Sequence, residues 1–281
     1  MKAINPKIRR SLGTMIVHGF PKLDLAIDLE IARRIGAEVL EILPYWPVFP
    51  DPESLRVEVE DAGFRIHSAH GSWGGHSIRA GRVDLASPNS EIGTSSLDDL
   101  KLCADWLGRA GGSCLVIHPG GLSDRADQEI RRDALFRGLA LLADHVQGTG
   151  VTVCVENMPT GVFPGSRMAE IAAIVTDLNR PEIGLALDTG HANITSTAAN
   201  ETLSAGSHLR TTHVHDNDGR QDRHLPPGRG TIDWGNWIEA LDAIDYRGPI
   251  VLECIKFLRD QPDCMTPDFL CLLRLMTGLD R

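Results

Sequence analysis

The chain has 281 residues, 42% of them hydrophobic and 23% charged, and a formal net charge of −10. That length allows one large domain or two small ones, and the composition is that of a soluble globular protein with a sizeable core. The negative balance argues against nonspecific nucleic-acid binding and against docking on anionic membranes, and no apolar run is long enough to span a bilayer.

At the N-terminus, MKAINPKIRR is basic but no apolar segment follows it, so no signal peptide is expected. The first strand-like run covers 14–18 and ends at His18, and a helical pattern over 24–36 follows. The alternation then repeats. Strands are expected at 38–43, 64–69, 113–118, 151–156, 183–188, 210–215 and 249–254. Helices are expected at 52–62, 95–110, 127–148, 166–178, 197–206, 233–244 and 266–277. Pro52 after Asp51 marks one helix start, and Ser95 or Ser96 ahead of Leu97 marks another. Gly36, Gly63, Gly111 and Gly150 fall between a helix and the next strand, where such turns favour glycine. Two strand-to-helix connections, 70–94 and 216–232, are long enough to serve as lids or substrate loops.

Eight strand–helix units with no composition break predict an α/β fold of the (β/α)8 TIM-barrel type. They read as a single domain over 1–281, with the barrel proper at about 12–278. A doubly wound sheet would need a phosphate-cradling glycine motif after an early strand, and HGF (18–20) and HPGG (118–121) are not GxGxxG. The six cysteines, Cys103, Cys114, Cys154, Cys254, Cys264 and Cys271, form no CxxC, and three lie in expected strands. They read as reduced structural thiols of a cytoplasmic protein.

Nine residues of metal-binding type lie on six short segments, nearly all where an apolar strand stops: RIHSAHG (65–71), CLVIHPGG (114–121), VCVENMP (153–159), LALDTGHAN (185–193), THVHDNDGRQDRH (212–224) and VLECI (251–255). A buried carboxylate or imidazole is costly unless it is paired or bound to a metal. Their repetition points to a metal pocket at the mouth of a parallel barrel, where catalytic groups of that architecture sit. Side chains alternate along a strand. Parity therefore groups Glu156 with Cys154 and Thr152, Asp188 with Ala186 and Gly184, His213 and His215 with Thr211, and Glu253 with Val251. These small or weakly polar companions suit a barrel interior. His67 and His70 have opposite parity, so one faces the pocket; His70, at the strand end, is the choice, and His67 reads as structural. Asp188 with His191 forms D-x-x-H, and Asp222 with His224 forms D-x-H; imidazole with carboxylate suits zinc, manganese or iron. His18 ends the first strand, while His76, His145 and His208 read as surface. Arg131, Arg132 and Arg137 read as a solvated helix face.

The ordered set H-P-G, E-N-x-x, D-T-x-H, H-x-x-D, D-R-H and a final L-E-x, one per strand–helix unit over roughly residues 12–256, resembles the xylose isomerase-like TIM-barrel superfamily. That superfamily holds sugar isomerases, sugar epimerases and the AP endonuclease IV group. The stretch HVHDNDGRQDRHLPPGRGTIDW (213–234) is similar to the sugar phosphate isomerase/epimerase branch. The resemblance implies a core metal site of Glu156, Asp188, His213 and Glu253. It implies two further sites of the endonuclease type: His70 and His118 with a bridging Glu156, and His191, Asp222 and His224. The implied cofactor is a divalent ion, zinc or manganese, one to three per chain. The implied activity is isomerisation or epimerisation of a sugar, sugar phosphate or polyol through a metal-stabilised enediolate. Glu156 and Glu253 would remove and return the proton. His191, His215 and Arg229 are expected to bind substrate hydroxyls or phosphate, and Trp46 and Trp73 to stack on a sugar face. The partner implied is a small sugar-like molecule; the residues leave room for a homo-oligomer without arguing for one.

The rival enzyme reading is multinuclear zinc phosphodiester or phosphate-ester hydrolysis, which the nine-residue set favours and the acidic balance opposes. After His70 the chain reads GSWGGHSIRAG, without the DNA-wedging segment of endonuclease IV, and the loop carries GRG (228–230) where GEG is common, which favours an anionic substrate. The third reading is a noncatalytic barrel with one structural metal; closed structural sites normally use four protein ligands.

Overall fold

Each apolar run pairs with its sequence neighbours to form one closed ring. The computed structural model describes residues 8–279. Its strands are β1 (Leu12–His18), β2 (Val39–Pro44), β3 (Arg65–His70), β4 (Cys114–Ile117), β5 (Thr152–Glu156), β6 (Ile183–Asp188), β7 (Leu209–Val214) and β8 (Ile250–Leu252). They pair in parallel in sequence order, and β8 closes on β1. The helices are α1 (Leu25–Ile35), α2 (Pro52–Asp61), α3 (Ser90–Arg109), α4 (Gln128–Val146), α5 (Met168–Leu178), α6 (Thr189–Thr195), α7 (Ala198–Ala205), α8 (Trp234–Ala243), α9 (Ile255–Asp260) and α10 (Pro267–Thr277). The result is a (β/α)8 barrel.

Local chemistry sets the helix ends. Asp24 and Asp51 cap α1 and α2 by accepting from Ala26 N–H and Ser54 N–H, and Pro52 takes the first turn of α2, where a missing N–H costs nothing. Gly36 closes α1 at a φ of 78°, a left-handed conformation that glycine adopts without strain.

Two apolar layers result from strand alternation. Outward side chains such as Ile16, Leu40, Ile42, Leu115 and Val153 are fully buried against the helices. Inward side chains are small, and Cys114, Val116, Cys154 and Ala186 form a separate cluster inside the ring. That cluster lies one layer below the strand ends. The ladder between β2 and β3 slips once: Leu40 pairs with Ile66 but Glu41 pairs with Ser68, leaving His67 as the extra residue. A bulge of this kind re-aims the side chains that follow it. Here it sets Ser68 and then His70 on the same inner face as Glu41.

Several expectations need correction. Helix α3 starts at Ser90, not near residue 95, because Asn89 accepts from the N–H groups of Glu91 and Ile92 and is the cap. Ser96 sits inside the helix and bonds back to the Ile92 carbonyl. The short helices α6 and α9 follow directly on the strand ends and are too brief to show a helical period. Arg131 is not on a solvated face: it is 4% exposed, pairs with Asp84 at 2.9 Å and donates to the Phe163 carbonyl. The six cysteines are all free, in line with the reduced-thiol reading; five are buried and Cys271 is exposed. Among the described residues no helix is long and apolar enough to cross a membrane.

Candidate metal centre

The carboxyl ends of the strands bring the nine expected ligands to one rim. His70, Glu156 and Asp188 are the last residues of β3, β5 and β6, and His213 is the next to last of β7. His118 and Glu253 stand one residue past β4 and β8. His191 is on α6, and Asp222 and His224 are on the loop from β7 to α8.

Glu156, Asp188, His213 and Glu253 offer ligand atoms that all lie within 4.8 Å of one another. His213 Nδ1 is 3.0 Å from Glu156 Oε1 and 3.3 Å from Glu253 Oε2. Glu156 Oε2 and Glu253 Oε2 are buried and have no hydrogen-bond partner. Unpaired buried carboxylate oxygens are costly, and a cation held among these groups would satisfy them. Three carboxylates and one imidazole are a suitable donor set for a divalent ion.

Asp188 has two structural duties. Its Oδ1 accepts the His191 N–H at 2.6 Å and so caps α6. Its Oδ2 accepts from His215 Nε2 at 3.0 Å. Asn157 clamps the Asp188 main chain from below, its amide bonding both the Asp188 N–H (2.8 Å) and carbonyl (3.0 Å).

In a second group, His70, His118 and Glu156, the ligand atoms likewise lie within 4.8 Å of one another. His118 Nε2 is 3.4 Å and His70 Nε2 3.8 Å from Glu156 Oε2. The third expected group gathers on one oxygen: His191 Nε2 and His224 Nε2 are each 3.2 Å from Asp222 Oδ2. In that quarter, three ligand atoms that all lie within 4.8 Å of one another belong instead to His215, His224 and Glu253. The rings of His215 and His224 stack in parallel at 4.1 Å, an awkward attitude for sharing one ion.

Three of these imidazoles are aimed by main-chain carbonyls. His70 Nδ1 donates to Gly71 O (2.8 Å), His191 Nδ1 to Asn157 O (2.9 Å) and His224 Nδ1 to Glu253 O (2.8 Å). Each bond occupies Nδ1 with a proton and turns Nε2 into the pocket. His213 is reversed, with Nε2 2.7 Å from Glu41 Oε1.

The electrostatics follow from this crowding. Burial opposes charge on His213, but Glu41, Glu253 and Glu156 outweigh it and hold its pKa well above the ordinary value. Burial also lowers His191 and His224, but Asp188 with Asp222 raises the first to about 10, and Glu253 with Asp222 the second to about 10. Burial opposes ionisation of Asp188 and Glu156, yet His191 and His215 bring Asp188 down to about 2, and His213 and His118 hold Glu156 well below the usual range. His70 goes the other way, lowered by burial and by His118.

The residues expected to touch substrate separate into two sets. His191 and Trp73 are at the pocket; the Trp73 ring meets His70 edge-on at 4.8 Å and stacks on His76. Trp46 offers no face to a sugar: it is fully buried, edge-on to Trp106, and its indole N–H donates to the His70 carbonyl. His215 is fully buried and braces Asp188. The Arg229 guanidinium lies over the Phe257 ring at 5.8 Å and lines a groove of about 930 Å³ beside α8 and α10 that contains none of the nine ligands. His67 joins no ligand group, and its Nε2 is buried without a partner.

Sequence reasoning missed Glu41, Ser68 and the role of Asn157. Asn157 carried a signal, as the second residue of E-N-x-x. Glu41 carried a fainter one, as an acidic residue inside an apolar strand.

Comparison with known proteins agrees with this picture. Residues 29–266 match the family model described as xylose isomerase-like TIM barrel. A ketose 3-epimerase of Arthrobacter globiformis is 32% identical over 251 residues, covering 84% of this chain and 79% of that protein. A probable endonuclease 4 of Mycobacterium marinum is 28% identical over 257 residues, covering 83% and 94%. For another curated relative, an uncharacterized protein, the chain spans 62% of its length. A crystal structure of a D-tagatose 3-epimerase-like protein superposes with a TM-score of 0.75 over 94% of this chain and 98% of that one; at 19% identity the likeness is one of fold.

Proposed function

The chain belongs to the xylose isomerase-like TIM-barrel family, and from that premise we propose that it is a divalent-metal-dependent epimerase or isomerase of a ketose or related polyol. The observation that carries the reading is the pair of buried, unpartnered oxygens, Glu156 Oε2 and Glu253 Oε2, in one group with Asp188 and His213. Glu156, Asp188, His213 and Glu253 would hold the ion, manganese or zinc. When bound, it supplies positive charge that stabilises negative charge developing on a substrate carbonyl.

The chain's own groups divide the rest of the work. Glu156 and Glu253 come from strands three apart in an eight-strand ring, so they face a bound sugar from different sides. One takes the proton from the carbon next to the carbonyl, and the other returns a proton to the opposite face. His191 and Trp73 line the entrance, and the Trp73 ring gives a sugar an apolar wall. The relationship to a ketose 3-epimerase supports this substrate class.

A second reading has its own support. His70 and His118 around Glu156, and His191 and His224 around Asp222, supply two further ligand groups, as a multinuclear phosphoesterase requires. Incubating manganese-loaded protein with ketoses in deuterated water separates the two. Epimerisation predicts deuterium at the carbon beside the carbonyl and appearance of the epimer. No exchange into any ketose at full metal occupancy, with cleavage of an abasic-site duplex or a phosphodiester, would overturn the proposal.

A further inference from the structure

We propose that Glu41, backed by Ser68, is a positioning residue that fixes the tautomer and aim of His213, so that Nδ1 is presented to the cation shared with Glu156, Asp188 and Glu253. The inference rests on reading His213 as a ligand.

Glu41 lies in the middle of β2 and is fully buried, across the lumen from β7. A carboxylate there costs several kcal/mol unless it is compensated, and an apolar residue would fill the position more cheaply. Its two oxygens are each occupied by one donor. Oε1 takes the His213 Nε2–H at 2.7 Å, and Oε2 takes the Ser68 hydroxyl at 2.5 Å. An ionised carboxylate only accepts, so Glu41 keeps a proton on His213 Nε2. Nδ1, 3.0 Å from Glu156 and 3.3 Å from Glu253, hydrogen-bonds Glu156 in the metal-free protein, and it is the nitrogen whose proton a cation would displace.

The other pocket histidines explain why a side chain is needed. His70, His191 and His224 each take a carbonyl acceptor near the strand ends, because their Nδ1 faces outward. The outward atom of His213 is Nε2, which points across the lumen. There the strand carbonyls are engaged in the barrel ladder, so the acceptor must come from a side chain. The bulge at His67 completes the arrangement, since it puts Ser68 opposite Glu41. An orienting carboxylate of this kind also makes the imidazole a stronger donor.

Manganese binding, followed by paramagnetic resonance and calorimetry on the full chain, tests this with wild type, Glu41→Ala, Glu41→Gln and Ser68→Ala. Circular dichroism checks folding. We expect Glu41→Ala to weaken binding by about 100-fold, Glu41→Gln, which keeps an acceptor but not the charge, by about tenfold, and Ser68→Ala by a smaller factor. In zinc-loaded wild type, nitrogen-15 spectra should show His213 protonated at Nε2, with that proton's resonance moved in Glu41→Gln. Folded Glu41→Ala that binds manganese within threefold of wild type overturns the proposal. Should Glu41→Ala not fold, Glu41→Gln with unchanged affinity and an unmoved His213 resonance overturns it instead. A wild type that binds no divalent ion sinks the ligand reading itself, and this inference with it.

Discussion

A Cβ placed on Gly190 would stand 1.9 Å from Cε1 of His215 and 2.5 Å from its Nδ1. His215 cannot yield easily, because its ring is stacked on His224 and its Nε2 is bonded to Asp188. The D-T-G-H segment therefore keeps glycine for reasons of space rather than backbone conformation. Gly190→Ala should push His215 off Asp188 and free that carboxylate to turn. We expect a stability loss of about 1–3 kcal/mol, in the range of an overpacked core site, together with weaker manganese binding. Thermal melts with and without the ion measure both. An unchanged melting temperature with unchanged affinity would show that His215 has somewhere else to go.

At the scale of elements, Asp216 ties together the two ends of the loop from β7 to α8, beside the anchors that Asn217 and His224 supply. Buried Asp216 accepts from the N–H groups of Gly228 and Ile232 and from the Trp234 indole, and its main chain pairs with Leu225. This loop carries Asp222 and His224 but none of the core four. Asp216→Ala should therefore loosen the outer group and spare the core. The expected outcome is one tightly bound ion retained and any ion held at Asp222 lost, as read by metal content after dialysis; loss of all metal would contradict it. The loop also shows what the sequence makes legible. The barrel could be read because eight apolar runs alternate with helical patterns, and the rim because ligand types recur where those runs stop. Asp222 and His224 stood out for the same reason. Glu41 did not, because its partner His213 is 172 positions away and no local pattern links them. The bulge at His67 could not be read either, since it exists only in the pairing of two strands. Trp46 looked like a sugar platform because it follows a strand end, and only its packing against Trp106 reveals a buried strut.

For the whole molecule, protons and divalent ions compete for the same imidazoles. The raised pKa values of His191 and His224 favour folding below the ordinary value of 6.5, and that contribution is lost as pH rises through about 10. The lowered pKa of Asp188 favours folding above 3.8, and that contribution is lost as pH falls through about 2. With a chelator present, the melting temperature should decline on the alkaline side of pH 6.5, and the lowered pKa of His70 should also draw it down as pH falls below 6.5. Manganese requires deprotonated imidazoles, so its stabilising effect should grow from about pH 6 to 9, toward about 2.7 kcal/mol at one hundred times Kd. Melts across that range with and without manganese measure it, and a pH-independent difference would refute the competition. The Glu41–His213 contact has a mechanical side as well. The ring closes where β8, only three residues long, meets β1 through three register partners. Glu41 on β2 and His213 on β7 flank that joint, and their bond straps across it from inside the lumen. The imidazole that faces the pocket is thus also a fastener across the short strand β8, which has two register partners on β7 and three on β1, so a change at either end would slacken the ring as well as the chemistry.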